Sequence, residues 1–180
     1  RAGISVETSK ASTLIRQTVW QYDLDKLLLF YELMFPIINW AHSNNGGMQA
    51  CLQFHKEPNN DGAGSFRGTN KVEVDYKNIN PMFANTPFEE IMTDVGAVRS
   101  RLMIMNAQTC YSVHQDNAPR YHMALETNPD AFFVFSDSDK ICHIPADGWI
   151  YEVDTTQRHT FVNAGPSRTH LVLVRGDYYD

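Results

Sequence analysis

The second half of the chain consists of short segments in which apolar and polar residues alternate, and this pattern limits the possible fold more than any other feature. Eight such segments follow one another from Val98 onward, separated by turns rich in Asn, Asp, Pro and Gly. A period of two is typical of β-strands that bury one face. The predicted strands span residues 101–105, 110–114, 121–126, 131–135, 140–144, 149–153, 160–163 and 169–174. Short strands joined by tight turns favour a β-sandwich or barrel.

The first half of the chain contains one clear amphipathic helix. From Leu24 onward its apolar residues recur at intervals of three and four, as they do in a helix that buries one face. These residues are Leu27, Leu28, Tyr31, Met34, Phe35 and Ile38. Asp23 is placed to cap the start of the helix, and Pro36 is placed to end or kink it. We expect this helix to cover the outside of a sheet.

Residues 55–70 predict an unusually long loop. The segment is dense in Gly, Asn, Asp and Pro, and it has too few apolar residues to form a core element. Loops of this length inside a compact domain often act as lids or contact ligands. Phe66 and Arg67 are therefore candidates for substrate contact, and a solvated surface loop is the alternative.

A short second helix is expected after this loop. The sequence Thr86-Pro87-Phe88-Glu89 predicts a capping box at its start, and Gly96 predicts its end. Together these patterns predict a single domain over residues 1–180. Its helical and loop-rich N-terminal support region spans residues 1–97, and its β core spans residues 98–176.

Size and composition narrow the classes of function. Of the 180 residues, 43% are apolar and 20% are charged, as in an ordinary soluble globular protein. The net charge of −6 argues against a nucleic-acid partner, because a phosphate backbone is bound by a concentrated basic surface. No apolar run is long enough to cross a bilayer and no signal peptide is evident, so we expect an intracellular, cytoplasmic protein without a membrane partner.

The cysteines do not predict a metal site. Cys51, Cys110 and Cys142 are odd in number and match no paired zinc spacing, so we expect free thiols in a reducing compartment. His143 follows Cys142 directly, and adjacent residues of a strand face opposite sides, which excludes this pair as ligands of one metal ion.

The strongest candidates for metal ligands are in His114-Gln115-Asp116 and at the distant His159. Side chains at positions i and i+2 of a strand point to the same face, so His114 and Asp116 project into one space if strand geometry persists through the turn. His159 precedes a late strand that an eight-stranded roll brings near an early one. Two imidazoles and one carboxylate on one face form the facial triad that holds Fe(II) and leaves coordination positions open.

Arg168 stands nine residues after His159, at the opening of the last predicted strand. A guanidinium can bind a carboxylate through two parallel hydrogen bonds, which suits the far end of a dicarboxylic keto acid. An ordinary salt bridge at a strand end is the alternative.

Four further residues have two interpretations each. Trp149, Tyr151 and Phe161 are candidates to line a substrate pocket, although aromatic residues at strand spacing more often belong to the core. Asp154 either orients a ligand histidine or belongs to a turn.

The segment from Cys110 to Val174 resembles the iron- and 2-oxoglutarate-dependent dioxygenases. Within them it is similar to the aspartyl/asparaginyl β-hydroxylase-like branch, which also includes proteins similar to free-proline hydroxylases. The resemblance covers about a third of the chain. The residues that carry it are His114-Gln115-Asp116, Arg120-Tyr121-His122-Met123-Ala124-Leu125, Gly148-Trp149, Asp154, His159 and Arg168.

The resemblance implies a double-stranded β-helix, a jelly-roll of the cupin-like kind, that is mainly β with flanking helices. It implies Fe(II) bound by His114, Asp116 and His159, with 2-oxoglutarate as co-substrate anchored by Arg168 and O2 as oxidant. By the same resemblance His122 assists the co-substrate, and Arg120 contacts either the co-substrate or a substrate carboxylate.

The implied activity is hydroxylation of a small-molecule amino acid or of a residue in a peptide or protein, with release of succinate and CO2. Asp116 is a departure, because the animal aspartyl hydroxylases of this branch lack the carboxylate ligand, and their substrate is therefore not transferred. The same carboxylate argues against a halogenase. Two alternatives are a cupin-like metalloenzyme that does not use 2-oxoglutarate and a non-catalytic jelly-roll binding module. Nothing in the sequence fixes the oligomeric state.

Overall fold

The computed structural model describes residues 13–44 and 46–180. Residues 1–12 of the predicted support region lie outside the described residues. Two antiparallel sheets face each other in the described part of the chain, one with strand order β1-β11-β8-β13-β6-β3-β2 and one with order β10-β9-β12-β7. A small third sheet pairs β4 with β5. The predicted jelly-roll, mainly β with flanking helices, is confirmed.

The elements have the following bounds. The strands are β1 (Ile15–Gln21), β2 (Ala41–His42), β3 (Met48–Cys51), β4 (Gln53–Phe54), β5 (Asn78–Ile79), β6 (Ala97–Met105), β7 (Thr109–Cys110), β8 (Arg120–Glu126), β9 (Ala131–Phe135), β10 (Lys140–Cys142), β11 (Trp149–Val153), β12 (His159–Asn163) and β13 (Arg168–Arg175). The helices are α1 (Leu24–Met34) and α2 (Pro87–Val95), and short 3-10 helices span Phe35–Ile37, Glu73–Asp75, Pro81–Phe83 and Gly176–Tyr179.

The outer face of the large sheet is covered by the two helices. Leu27 and Tyr31 of α1 and Ile91 of α2 pack in one buried cluster with Leu102 and Leu171 of the sheet. As predicted, the Asp23 side chain caps α1 by accepting a hydrogen bond from the Lys26 backbone N–H, at 3.0 Å. This apolar layer leaves the opposite face of the sheet free to carry polar side chains.

The inner face of the large sheet packs against the small sheet through an apolar cluster. Phe133, Phe135 and Phe161 of the small sheet bury against Met105 and Ala124 of the large one. The same face also carries buried arginine and histidine side chains that line a cleft. The space between the sheets is therefore part core and part polar cleft.

Two predictions about the N-terminal half are wrong in detail. The sequence predicts no strand before residue 97, yet β1 and β3 pair with β11 and β6 in the large sheet. The predicted capping box of α2 does not form: the Glu89 carboxylate accepts from the Asn85 backbone N–H, and the Thr86 hydroxyl donates to the Phe83 carbonyl. The helix ends as predicted at Gly96, which has a φ of 63°.

Several strand boundaries also differ from the prediction. β6 begins four residues before the predicted residue 101, at Ala97, and β10 ends at Cys142. The predicted strand 110–114 is reduced to β7 at Thr109–Cys110, with an isolated bridge at His114. Free thiols are found at Cys51, Cys110 and Cys142, of which Cys51 is buried and Cys110 exposed.

No helix within residues 13–44 and 46–180 is long and apolar enough to span a membrane.

Candidate active site

His114, Asp116 and His159 come together at the edge of the cleft between the sheets. One potential ligand atom from each residue lies within 4.8 Å of the others, and the two imidazole rings have centroids 4.5 Å apart. His159 is buried, whereas His114 and Asp116 are partly exposed. The three side chains that the sequence predicts as ligands therefore share one small space that solutes can reach.

The backbone explains why these three side chains meet. His114 and His159 form an antiparallel bridge in which each N–H donates to the other residue's carbonyl at 2.9 Å. Two residues further on, the Asp116 N–H donates to the Thr155 carbonyl, also at 2.9 Å. Beyond the short β7 the chain thus stays alongside the start of β12 and the segment before it, and His114 and Asp116 face the same side as an i, i+2 pair.

Both histidines present the same nitrogen to the shared space. His114 Nδ1 lies 2.7 Å from the Ser112 carbonyl, and His159 Nδ1 lies 2.8 Å from the Gln157 carbonyl. A carbonyl only accepts, so each Nδ1 carries a proton and Nε2 is the nitrogen that remains for a ligand contact. Burial lowers the pKa of His159, which favours the neutral ring. Such orientation by a backbone carbonyl is typical of metal-binding histidines.

Asp116 is held by Arg120. Arg120 Nε lies 3.2 Å from Asp116 Oδ2, which leaves Oδ1 as the oxygen available to a metal ion. Arg120 also pairs with the buried Glu73, with Nη2 2.7 Å from Oε1. Burial alone lowers the pKa of Arg120, but Asp116 and Glu73 outweigh it and raise that pKa. Arg120 is thus engaged by two carboxylates of the protein itself.

Glu73 connects this pair to the long loop. Arg99 forms a second ion pair with Glu73, donates from Nε to the Gly62 carbonyl at 2.9 Å, and stacks on the Phe66 ring at 3.6 Å. Arg99 has a φ of 50° at an irregularity in the pairing of β6 with β13, the kind of bulge that redirects a side chain. One ionic network therefore holds both a candidate ligand and the loop that borders the cleft.

Arg168 lies deep in the same cleft without an anionic partner among the described residues. It is 2% exposed, and its contacts are a donation from Nη1 to the Met103 carbonyl at 3.3 Å, a weak contact from Nη2 to Met105 Sδ at 3.9 Å, and the Phe161 ring at 4.2 Å. Its Nε has no hydrogen-bond partner. Burial lowers the pKa of Arg168. Because a buried charge without a partner is unfavourable, this guanidinium is suited to bind an anion.

His122 lines the same cleft as the triad and Arg168. It is buried, its Nδ1 is 3.3 Å from Nδ1 of the buried His170, and its ring packs edge-on against Phe133. Burial, together with Arg168 and His159, lowers the pKa of His122 well below its ordinary value. His122 is thus a neutral imidazole near neutral pH.

The cleft has a volume of about 1020 Å³ and is bordered by the long loop. Phe66 and Arg67 are among its lining residues, and Trp149 is not. Asp154 accepts hydrogen bonds from Thr156 and Gln157, so it belongs to a turn and does not orient His159.

Sequence reasoning missed Glu73, Arg99 and Arg101, all of which line the cleft. The pattern Arg99-Ser100-Arg101 places two arginines at the start of an apolar strand, and this could have marked a charged inner face. Glu73 has no local signal, because its partners are distant in sequence.

No protein-family model and no curated protein matches the chain. Among solved structures, a prolyl-4-hydroxylase from Pseudomonas putida matches with a TM-score of 0.51 at 12% identity, over 92% of this chain and 94% of that one. A 2OG-Fe(II) oxygenase family oxidoreductase from Burkholderia pseudomallei matches with a TM-score of 0.49 at 13% identity. This match covers 82% of this chain and 77% of the matched chain. The first match shows that the chain shares the fold of the prolyl-4-hydroxylase.

A Rhodobacter sphaeroides structure of SigE in complex with the anti-sigma ChrR matches with a TM-score of 0.44 at 15% identity. The match covers 82% of this chain, which spans 55% of the matched chain's length.

Proposed function

We propose that the chain is an Fe(II)- and 2-oxoglutarate-dependent dioxygenase that hydroxylates an amino acid or a residue in a peptide or protein. The observation that carries this proposal is the combination of His114, Asp116 and His159 with the buried Arg168, which has no anionic partner among the described residues. A metal triad alone suits many cupin-like enzymes. The guanidinium supplies what a dicarboxylic co-substrate needs in addition.

The triad fits Fe(II) in type and arrangement. Two neutral imidazoles and one carboxylate oxygen would hold the ion from one side, and this ligand set is typical of non-haem Fe(II) oxygenases with open positions for other ligands. When bound, Fe(II) and 2-oxoglutarate supply the oxidising chemistry, using O2 and releasing succinate and CO2. Arg120 would keep Asp116 monodentate by engaging Oδ2.

Arg168 and His122 would position the co-substrate. In this assignment Arg168 binds the far carboxylate of 2-oxoglutarate, and the neutral His122 donates or accepts one hydrogen bond beside it. Phe133 and Phe161 line the same part of the cleft, where they exclude water from the charged contacts and so strengthen them.

The finer assignment to the aspartyl/asparaginyl β-hydroxylase-like branch rests on the order of motifs from His114 to Arg168. We propose a small-molecule amino acid or peptide as substrate, and neither a nucleic acid nor a membrane as partner. Arg67 lines the cleft and Trp149 does not, so we propose Arg67 rather than Trp149 as a substrate contact.

The proposal predicts succinate formation from 2-oxoglutarate by the purified protein supplied with Fe(II) and O2. Release of succinate above a metal-free control is the expected result. A protein that is loaded with Fe(II) but neither binds 2-oxoglutarate nor turns it over with any candidate substrate would rule the proposal out.

Arg168→Ala is expected to raise the concentration of 2-oxoglutarate needed for half-maximal turnover by about 30-fold or more, since losing one side of a buried charge pair costs about 2–5 kcal/mol. Metal affinity should stay within about threefold, because Arg168 does not contact the triad. Titrations of 2-oxoglutarate and of Mn(II) separate the two effects. An unchanged 2-oxoglutarate requirement would remove Arg168 from this role.

A further inference from the structure

Arg101 is a second cationic side chain in the cleft without an anionic partner in the described part of the chain. It lies on the inner face of β6 and is 6% exposed. Its Nη1 donates to Gln49 Oε1 at 3.1 Å, and its Nε has no hydrogen-bond partner. Burial lowers the pKa of Arg101, and nearby Arg99 and Arg120 lower it further.

The buried arginines of the cleft outnumber the carboxylates that pair with them, and Arg101 is one of the arginines left over. Four buried arginines line it, at positions 99, 101, 120 and 168. Glu73 and Asp116 neutralise Arg99 and Arg120 through direct ion pairs. Two guanidiniums then remain, of which Arg168 is assigned to the co-substrate. Arg101 is thus left without an anionic partner from the described residues or from the co-substrate's far carboxylate.

The two free guanidiniums belong to different parts of the cleft. Arg168 pairs in register with Met105, whereas Arg101 pairs with Val172, which in turn pairs with His122. Arg101 and Met105 are four residues apart on β6, which corresponds to about 13 Å along a strand. Arg101 and His122 are therefore level with each other on the two strands that flank Val172 of β13. Arg168 lies about four residues further along the sheet.

We propose that Arg101 binds a carboxylate of the substrate, so that the substrate is an amino acid or peptide carrying a free carboxylate. This inference rests on the proposed function and specifies its substrate class. One guanidinium edge, oriented by Gln49, matches the planar geometry of a carboxylate through parallel hydrogen bonds. A neutral amide in its place would leave a buried charge unpaired, which is the basis of strong discrimination.

The test compares matched ligands that differ only in this group. Protein loaded with Mn(II) and 2-oxoglutarate is titrated calorimetrically with a panel of N-acetyl amino acids and the corresponding N-acetyl amino-acid amides, and with the free amino acids and their amides. The wild type should bind at least one carboxylate about 30-fold more tightly than its amide. Arg101→Gln should reduce this preference to about threefold or less.

Arg158→Gln is the matched control, because Arg158 lines the same cleft but is exposed. It should retain the preference for carboxylates, which would exclude a general effect of positive charge. Arg101→Lys, which keeps the charge but loses the planar edge, should give an intermediate preference.

Two further measurements on Arg101→Gln distinguish the loss of a substrate contact from a loss of 2-oxoglutarate binding or of stability. The 2-oxoglutarate affinity of Arg101→Gln should equal that of the wild type, and its melting temperature without ligands should equal or exceed the wild-type value, because an uncompensated buried charge is removed. The inference would be overturned if the wild type showed no carboxylate preference or if Arg101→Gln kept it. A loss of 2-oxoglutarate affinity or a large fall in melting temperature in Arg101→Gln would also overturn it. A wild type that does not bind 2-oxoglutarate would instead refute the proposed function.

Discussion

Replacing His159 by alanine is expected to abolish 2-oxoglutarate turnover and to weaken metal binding by more than about 100-fold, since even residues that only support metal ligands contribute about 10–100-fold. His159 provides one of three donor atoms and is the most buried of the three residues, so no neighbouring side chain among the described residues can replace it. Succinate release and the rise in melting temperature on adding Mn(II) measure the two effects.

The control for this variant is His143→Ala. His143 also makes an Nδ1 contact with a backbone carbonyl, that of Ala131, at 2.8 Å, but it lies outside the triad. Turnover and stabilisation by Mn(II) should both be retained. If His159→Ala kept either property, or if His143→Ala lost both, the assignment of the metal ligands would be incorrect.

Glu73→Gln is expected to lower the free energy of unfolding at pH 7 by about 3–5 kcal/mol, the usual effect of removing one partner from a buried ion pair. Glu73 is the anion between Arg99 and Arg120, and Tyr179 donates a further hydrogen bond to it. Its loss leaves buried guanidiniums uncompensated. Chemical denaturation measures the change, and Mn(II) affinity should also fall because Arg120 positions Asp116.

The contribution of Glu73 to the free energy of unfolding should decrease as the pH falls. Burial raises the pKa of Glu73, but Arg120 and Arg99 outweigh it and bring that pKa to about 2, from an ordinary value of 4.5. The stabilisation is therefore fully present above about pH 4.5 and is lost as the pH falls toward 2, by about 3 kcal/mol in total. The difference between wild type and Glu73→Gln should shrink over this range.

Glu152→Gln provides the comparison for an exposed pair, because Glu152 pairs with the exposed Arg16. Exposed pairs contribute about 0–1 kcal/mol, so little change is expected at any pH. Equal effects of Glu73→Gln and Glu152→Gln at pH 7 would contradict the role assigned to the buried network.

The triad could be predicted from sequence because each of its residues belongs to a pattern that is visible in a short segment. His114 and Asp116 are two residues apart, and His159 opens a strand whose alternation is visible. Arg168 likewise opens an apolar strand, so its place at a strand end was predictable. Its burial without an anionic partner among the described residues was not, because that depends on what surrounds it.

The features that escaped prediction depend on contacts between distant segments. β1 lies at the edge of the large sheet, with an irregular register and an uneven burial pattern, so its residues do not alternate clearly. Glu73 meets Arg99 and Arg120 across 26 and 47 residues. The bulge at Arg99 that turns its side chain toward Glu73 has no glycine to mark it. The ion pairs of Arg120 with Glu73 and Asp116 could not be predicted from sequence for the same reason.

The central claim is that one site binds a metal ion through the triad and 2-oxoglutarate beside it. An anaerobic titration of the metal-free protein with 2-oxoglutarate, with and without Fe(II), tests this most directly. We predict that 2-oxoglutarate binds tightly only when Fe(II) is present. Binding of 2-oxoglutarate that is equally strong without Fe(II), or no binding in its presence, would contradict the account.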